Sequence, residues 1–234
     1  MAPSYPYPYP VTNSELIRLH KLESHLEGGF FAETAVLASE PSKAAPQLPP
    51  GLAADATKAL EGKAQVSWGA GAQLLGGQSA PSTAEGTKVD ATQIYYLLTA
   101  DSYRGKMHFN LHAHFHLLHS GRSLYTLIKP PTSPDETPEV HRIIMGHDAA
   151  AGEVSQLFVP GGWWKASEIP EEDRLLLDAP DVADLKERIG CLVSEIVVPG
   201  WNPDQHLFID EDKLKAMWGG KPGWEPYMKY MHSA

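Results

Sequence analysis

Met107-His108-Phe109-Asn110-Leu111-His112-Ala113-His114-Phe115-His116-Leu117-Leu118-His119-Ser120-Gly121 is the stretch on which the reading of the fold turns. Five of the chain's 11 histidines lie in it. His108, Asn110, His112, His114 and His116 take every second position, and Phe109, Leu111, Ala113, Phe115 and Leu117 fill the gaps. Period two marks a strand, or two strands across a tight turn, with one polar and one apolar face. The polar face is made of imidazoles, which bind metals and move protons near neutral pH. An ordinary solvated face carries Lys, Glu, Thr and Ser instead. The stretch therefore reads as the wall of a functional pocket; the blander alternatives are a tolerated polar face and a histidine-rich dimer contact.

Working outward, the composition sets limits. A chain of 234 residues forms one large domain or two small ones, and 42% apolar residues suffice for a core. The net charge of −10 and the absence of any Lys/Arg-rich run argue against a nucleic-acid surface. Cys191 is the single cysteine, so disulfides within the chain and cysteine metal clusters are excluded, and it reads as a small core residue. No apolar run approaches the ~18 residues of a membrane span. The N-terminus has neither a basic nor an apolar leader region, so the expected compartment is cytoplasmic.

Residues 1–11 alternate Pro with Tyr and predict an extended arm. Thr12-Asn13-Ser14 offers helix caps before the amphipathic Leu16, Ile17, Leu19 and Leu22. Glu27-Gly28-Gly29 breaks that helix, and Phe30 to Leu37 reads as a strand. Residues 38–90 are rich in Ala, Gly, Pro, Ser and Gln and read as a long insertion between core strands, with a short helix at Ala53 to Leu60 and a short strand at Ala64 to Trp68. Strands follow at Gln93–Leu98, Gly105–Asn110, His114–His119, Arg122–Lys129, Val140–Met145, Gly152–Val159 and Ile189–Val198. Ser120-Gly121 reads as a turn between two of them. Residues 168–187 are acidic and read as a solvated loop with one helical turn, and Asp210 caps a short helix from Lys213 to Met217. Residues 216–234 read as a tail outside the domain. Many short strands with helix only at the periphery argue an all-β sandwich or barrel.

Several motifs then match a known pattern. Leu22-Glu23-Ser24-His25-Leu26-Glu27-Gly28-Gly29-Phe30-Phe31-Ala32-Glu33-Thr34 resembles the L-E-x-H-P-E-G-G-[YF]-[YF]-x-E-T signature of a family of small single-domain cupins. Ile94 to Ala100, the spacing of His108 to Gly121, Val159-Pro160-x-Gly162-x-Trp164 and Val197-Val198-Pro199-Gly200-Trp201 resemble its later motifs in order. The resemblance implies a double-stranded β-helix, the cupin jelly roll, as one domain over 12–215, a small-molecule pocket inside the barrel, and a homodimer. In the general cupin metal pattern the H-x-H pair becomes His108 and Asn110, the glutamate position is His114, and the third histidine is Lys165.

Two chemistries follow. If the turn falls near Leu111 to Ala113, His108 and Asn110 point inward from one strand and His114 and His116 from the next, with same-face neighbours about 6.6 Å apart. His108, His114 and His116 are then a candidate site for Zn, Fe, Mn or Cu, and the protein a metal-dependent oxygenase or lyase. Against this, the Lys165 ammonium would repel a divalent ion. The favoured reading is metal-free: an isomerase, epimerase or cyclase acting on a carbonyl-containing metabolite. Its candidate catalytic residues are His108, His114, His116, Lys165 and Tyr96; Asn110, Tyr95, Glu27 and Trp164 are the candidate substrate contacts. A non-catalytic ligand-binding cupin is the third alternative. His20, His141, His147, His206 and His232 lie apart in sequence and read as surface residues, and His112 and His119 as bystanders.

Overall fold

The computed structural model describes residues 11–39, 88–133, 135–178 and 183–234. The helix and strand expected within 53–68, and the arm before Val11, lie outside the described residues.

Eleven strands among these residues build two antiparallel sheets. The first contains β1 (Glu23–Ser24), β2 (Phe30–Ser39), β3 (Lys88–Thr99), β10 (Gly190–Val198), β5 (Ala113–Gly121) and β8 (Gln156–Val159), in that spatial order. The second runs β11 (His206–Phe208), β4 (His108–Asn110), β9 (Trp164–Glu168), β6 (Ser123–Lys129), β7 (Glu139–Met145). Strands distant in sequence are neighbours, as when β10 inserts between β3 and β5. The sheets pack face to face as a jelly-roll barrel around Tyr96, Leu98, Tyr125, Leu127, Leu157 and Val193. Cys191 joins this core at 2% exposure, and burial raises its thiol.

Alternation along each strand assigns the faces. On β3, Tyr96 and Leu98 point into the barrel, while Leu97 points outward and meets Leu16, Leu22 and Leu192. Leu16 lies on helix α1 (Asn13–His20), whose Thr12 N-cap forms a reciprocal capping box with Glu15. The acidic stretch after β9 forms α2 (Glu171–Leu175), a 3₁₀ turn (Leu176–Asp178) and α3 (Ala183–Lys186).

The structure corrects the strand reading at three places. The chain bends at Leu111–His112 where a turn was expected, but β4 and β5 do not pair: one belongs to each sheet. The same holds at Gly121, where the chain crosses through Arg122 into β6. Gly121 adopts φ +78°, and Arg122 is held by Glu153 at 2.7 Å and Asp173 at 2.7 Å. The inward direction of the alternate residues survives because both strands face one interior. Trp164–Glu168 form β9, a strand that the sequence reading does not name.

The segment 216–234 packs onto the second sheet. Helix α4 (Glu211–Met217), capped by Asp210, and a 3₁₀ segment (Glu225–Met231) cover the outer face with Met217, Trp218 and Tyr230. Tyr230 is 1% exposed; its hydroxyl donates to Glu168 Oε1 at 2.7 Å and lies 2.9 Å from Thr126 Oγ1. Tyr230→Ala is expected to cost about 3–5 kcal/mol in urea unfolding, through the cavity and the loss of one of the two donors to Glu168 Oε1, the Lys229 ammonium being the other. A loss under ~1 kcal/mol would show that the segment is dispensable to the fold. No helix among the described residues is long and apolar enough to cross a membrane.

Candidate active site

The site assembles where β4, β5, β9 and β10 face one another inside the barrel. Register sets the neighbours: His108 lies opposite Lys165, His116 opposite Glu195, and His114 opposite Val197. Lys165 is 2% exposed, and His114 and His116 are each 1% exposed. A buried ammonium needs an acceptor for each N–H. Lys165 has three: it forms an ion pair with Glu195 Oε1, and its Nζ lies 2.8 Å from His114 Nδ1 and 3.3 Å from His116 Nε2.

These contacts constrain the protons. With His116 Nε2 accepting from Lys165, the neutral ring carries its proton on Nδ1, which donates to the Tyr125 hydroxyl at 3.1 Å. His114 Nδ1 also lies 2.5 Å from Glu195 Oε1. One nitrogen cannot donate to the carboxylate and accept from the ammonium at once, so the three groups share protons within one triangle. His108 Nδ1 donates to the Lys106 carbonyl at 3.0 Å, leaving its buried Nε2 without a partner among the described residues. Burial, reinforced by the Lys165 charge, lowers His108 and His114; His116 is also lowered, by burial and Lys165 against the pull of Glu195. Glu195 moves the same way for a different reason. Burial alone would raise it, but Lys165, His116 and His114 outweigh that and hold it well below the usual carboxylate range.

Glu27 goes the other way. Burial pushes it up to about 8, against the opposing pull of Lys165. The Gly28 and Gly29 that follow have φ of +102° and +70°, and a Cβ on Gly29 would come 2.6 Å from the Leu97 carbonyl oxygen. The glycines thus allow the tight turn that carries Glu27 into the barrel. Three imidazoles surround its carboxyl: His108 Nδ1 at 3.5 Å, His25 Nδ1 at 3.6 Å and His206 Nε2 at 3.6 Å. Burial lowers His25 and His206 to about 4 each. His206 stacks on His108 with centroids 5.0 Å apart and accepts from the Trp201 indole at 3.3 Å.

A cavity of about 400 Å³ opens onto this cluster, within the size range of small-molecule sites. Glu27, Glu195, Asn110 and His25 present polar groups to it. A second space of about 10 Å³, lined by Glu27, Tyr96, His108, His116, Tyr125, Lys165 and Glu195, lies behind.

The model of the family described as Cupin superfamily (DUF985) matches residues 14–209. The chain belongs to this cupin family. An uncharacterized protein of Saccharomyces cerevisiae, YML079W, is 33% identical over 216 residues, covering 92% of this chain and 84% of the yeast one. Among solved structures, a hypothetical protein from Leishmania major superposes with TM-score 0.55 at 22% identity, covering 91% of this chain and 96% of its own. A protein from Shewanella oneidensis does so with TM-score 0.54 at 18% identity, covering 94% and 96%. These two likenesses bear on the fold alone.

Of the residues singled out in sequence, this cupin brings His108, His116, Lys165 and Tyr96 together, but around the small inner space rather than on the 400 Å³ cavity wall; His114 lines neither and joins the cluster through Lys165 and Glu195. Asn110 and Glu27 do line the cavity. Tyr95, expected as a substrate contact, points to the outer face of its sheet, against His20 at 4.6 Å and His119 at 5.4 Å, because Tyr96 takes the inner face. Trp164, expected likewise, packs outward with Phe109 and Met107, since its neighbour Lys165 points in. His206 is not a surface residue: its side chain is 6% exposed, and the pairing of β11 with β4 carries it beside His108. Nothing in its local sequence signals this. Glu195, unremarked within a largely apolar strand, had a usable signal: a lone carboxylate in such a run must find a partner.

The metal expectation changes in the same way. The donor atoms that converge are those of His114, His116 and Glu195, all within 4.8 Å of one another, whereas the expected set had His108 in place of Glu195. The Lys165 ammonium touches one donor atom of each of the three. It occupies the position a divalent ion would need, so the residues as arranged do not fit a resident metal.

Proposed function

We propose that this cupin is a metal-independent isomerase, epimerase or cyclase acting on a small carbonyl compound. The observation that carries the reading is the pair of cavity-facing carboxyls driven apart: Glu27 raised to about 8 and Glu195 held well below the ordinary range. One is a neutral acid at pH 7 and the other a carboxylate, and such separated pairs define acid and base roles.

In this reading Glu195 removes a proton from the carbon beside the carbonyl. The C–H electron pair moves into the new C=C bond, and the carbonyl oxygen takes a hydrogen bond or the proton from Glu27. The Asn110 amide is the second donor toward that oxygen. Return of the proton to another carbon, or to the opposite face, completes an isomerisation or epimerisation. Lys165, His114 and His116 act as positioning residues: they keep Glu195 ionised before the transfer and spread the change in charge after it. His108 and Tyr96 line the inner space beside Glu27 and hold its carboxyl in place.

The test is solvent exchange. A panel of small ketones, aldehydes and hydroxyketones is incubated with the protein in deuterium oxide, and loss of the α-proton signal is followed by NMR. Wild type is expected to exchange at least one compound, and Glu27→Gln and Glu195→Gln are each expected to slow exchange by about 10²–10⁴-fold. Exchange that survives both substitutions would remove these roles. Binding without exchange would leave a ligand-binding cupin. The metal-dependent oxygenase or lyase reading draws on the convergence of His114, His116 and Glu195, but it requires Lys165 to leave its three acceptors.

A further inference from the structure

The turn that carries Glu27 is fastened by main-chain contacts. The Gly29 N–H donates to Ser102 Oγ at 2.8 Å, and the Glu27 carbonyl accepts from the Lys106 N–H at 2.6 Å. The Lys106 carbonyl in turn accepts from His108 Nδ1 at 3.0 Å, so one residue holds both Glu27 and the imidazole beside it. One step back in the chain, the Gly105 N–H donates to the Ser167 carbonyl on β9 at 2.9 Å. Residues 104–107 thus form a bar that ties the Glu27 turn to the second sheet.

The same bar is gripped by the segment 230–234, which lies beyond the family match ending at residue 209. The Met107 N–H donates to the Tyr230 carbonyl at 2.8 Å. The Arg104 N–H donates to the Ala234 main-chain oxygen at 3.1 Å, and the Ala234 N–H donates back to the Arg104 carbonyl at 3.0 Å. Ser233 lies against the Glu27 turn itself: a Cβ placed on Gly28 would come 2.6 Å from the Ser233 Cβ. The buried Tyr230 side chain anchors this segment through Glu168 and Thr126. Two main chains bonded to each other and anchored at one end are stiff, whereas consecutive glycines at positive φ give a turn little stiffness of its own. The turn therefore takes its position from the bracket around it.

We infer that residues 230–234 are positioning residues for Glu27: through the 104–107 bar and the contact on Gly28 they hold its carboxyl inside the barrel and keep water from it. That Glu27 is the acid of a reaction rests on the function proposed above; that the bracket holds it rests on these contacts alone.

The experiment reads the state of Glu27 in the full chain. His25 from its own turn, His108 on β4, His206 on β11 and Lys165 on β9 face its carboxyl. Glu195, Tyr96 and Tyr125 stand beside them around the inner space. Ala234→Pro alters none of these groups and removes the N–H that donates to Arg104. Against wild type, Glu27→Gln is expected to gain stability from pH 5 to pH 8, because burial raises the Glu27 carboxyl to about 8. Placed on the Ala234→Pro background, where water reaches the carboxyl, the same substitution is expected to show about half that gain or less, read from urea midpoints. Amide hydrogen exchange is expected to quicken by at least about tenfold at Lys106 and to stay unchanged at Leu192 and Val193 in β10. Ser233→Gly, which removes the contact on Gly28, takes the place of Ala234→Pro if that variant does not fold. Tyr230→Phe is the control: it loses the hydroxyl bonds but keeps the main-chain bracket, and its Glu27 gain is expected to match that of wild type. An unchanged gain, unchanged exchange at Lys106, or an equal fall in Tyr230→Phe would overturn the inference. Failure of the proposed reaction shows differently. Solvent exchange of the α-proton that persists in Glu27→Gln removes the acid role and leaves the bracket; exchange lost in Glu27→Gln with the gain unchanged in Ala234→Pro does the converse.

Discussion

Lys165→Met is expected to destabilise the protein by about 3–5 kcal/mol at pH 7, because it strands Glu195 as a buried carboxylate without its cation. Methionine fills most of the space of the lysine stem, so the loss reports charge more than volume. The pH dependence distinguishes this from ordinary repacking. In wild type the folded-state value of Glu195 is depressed, so the stability it contributes is present above the ordinary carboxylate range near 4.5 and is lost as the pH falls through its lower folded value. In the variant, Glu195 loses the partner that held it down and takes up a proton more readily. The gap between the proteins, read from urea midpoints, is therefore widest near neutrality and narrows toward acid. A gap of similar size at pH 4 and pH 7 would place the loss in packing. The same variant frees the acceptors on His114, His116 and Glu195, whose atoms lie within 4.8 Å of one another. Co²⁺ or Zn²⁺ is then expected to raise the melting temperature of Lys165→Met and not of wild type, with the effect lost in Lys165→Met/His114→Ala. A metal-dependent shift in wild type would show that Lys165 yields its position.

The second large effect is expected at Glu27. Its carboxyl is pushed up to about 8 in the folded chain from an ordinary value of 4.5, by burial first and against the pull of Lys165. Between those values the folded state keeps a proton that the unfolded chain releases. The stability from this group is full below about 4.5 and is lost as the pH rises through about 8, with a limiting slope of about 1.4 kcal/mol per pH unit. Glu27→Gln keeps the shape and cannot ionise. Relative to wild type it is expected to gain stability steadily from pH 5 to pH 8, a difference of several kcal/mol across the window. His25 and His206, lowered to about 4, contribute the opposite slope at lower pH in both proteins, so the comparison isolates Glu27. A pH-independent difference would mean that Glu27 is ionised in the fold at neutrality, and its role as the acid would fall.

Much of the fold was legible because strand periodicity is local. The alternation from His108 to His116 reports which side chains face the barrel, and this holds although β4 and β5 belong to different sheets. The motif spacing located Lys165 opposite the histidines without any knowledge of pairing. Where two adjacent aromatics compete for one inner face, as at Tyr95-Tyr96 and Trp163-Trp164-Lys165, periodicity names the alternation but not its phase. Neighbours above and below each strand decide that, and they put Tyr95 and Trp164 outside. The segment 216–234 lacks a repeating pattern because its contacts are single anchors, Trp218 and Tyr230, into a face made by β6 and β9.

By itself, then, the amino-acid sequence determined an all-β barrel with an imidazole-rich interior and a lysine at its third motif. The inner phase of the strands, the arrival of Glu195 on β10 and of His206 on β11, and the opposite directions in which two cavity carboxyls are shifted were decided by tertiary structure alone. The physical reason is that burial and charge pairing act between strands far apart in the chain. Whether a glutamate is an acid or a base at pH 7 depends on how much water its partners exclude and how near the ammonium lies, and neither quantity is a property of a stretch of sequence.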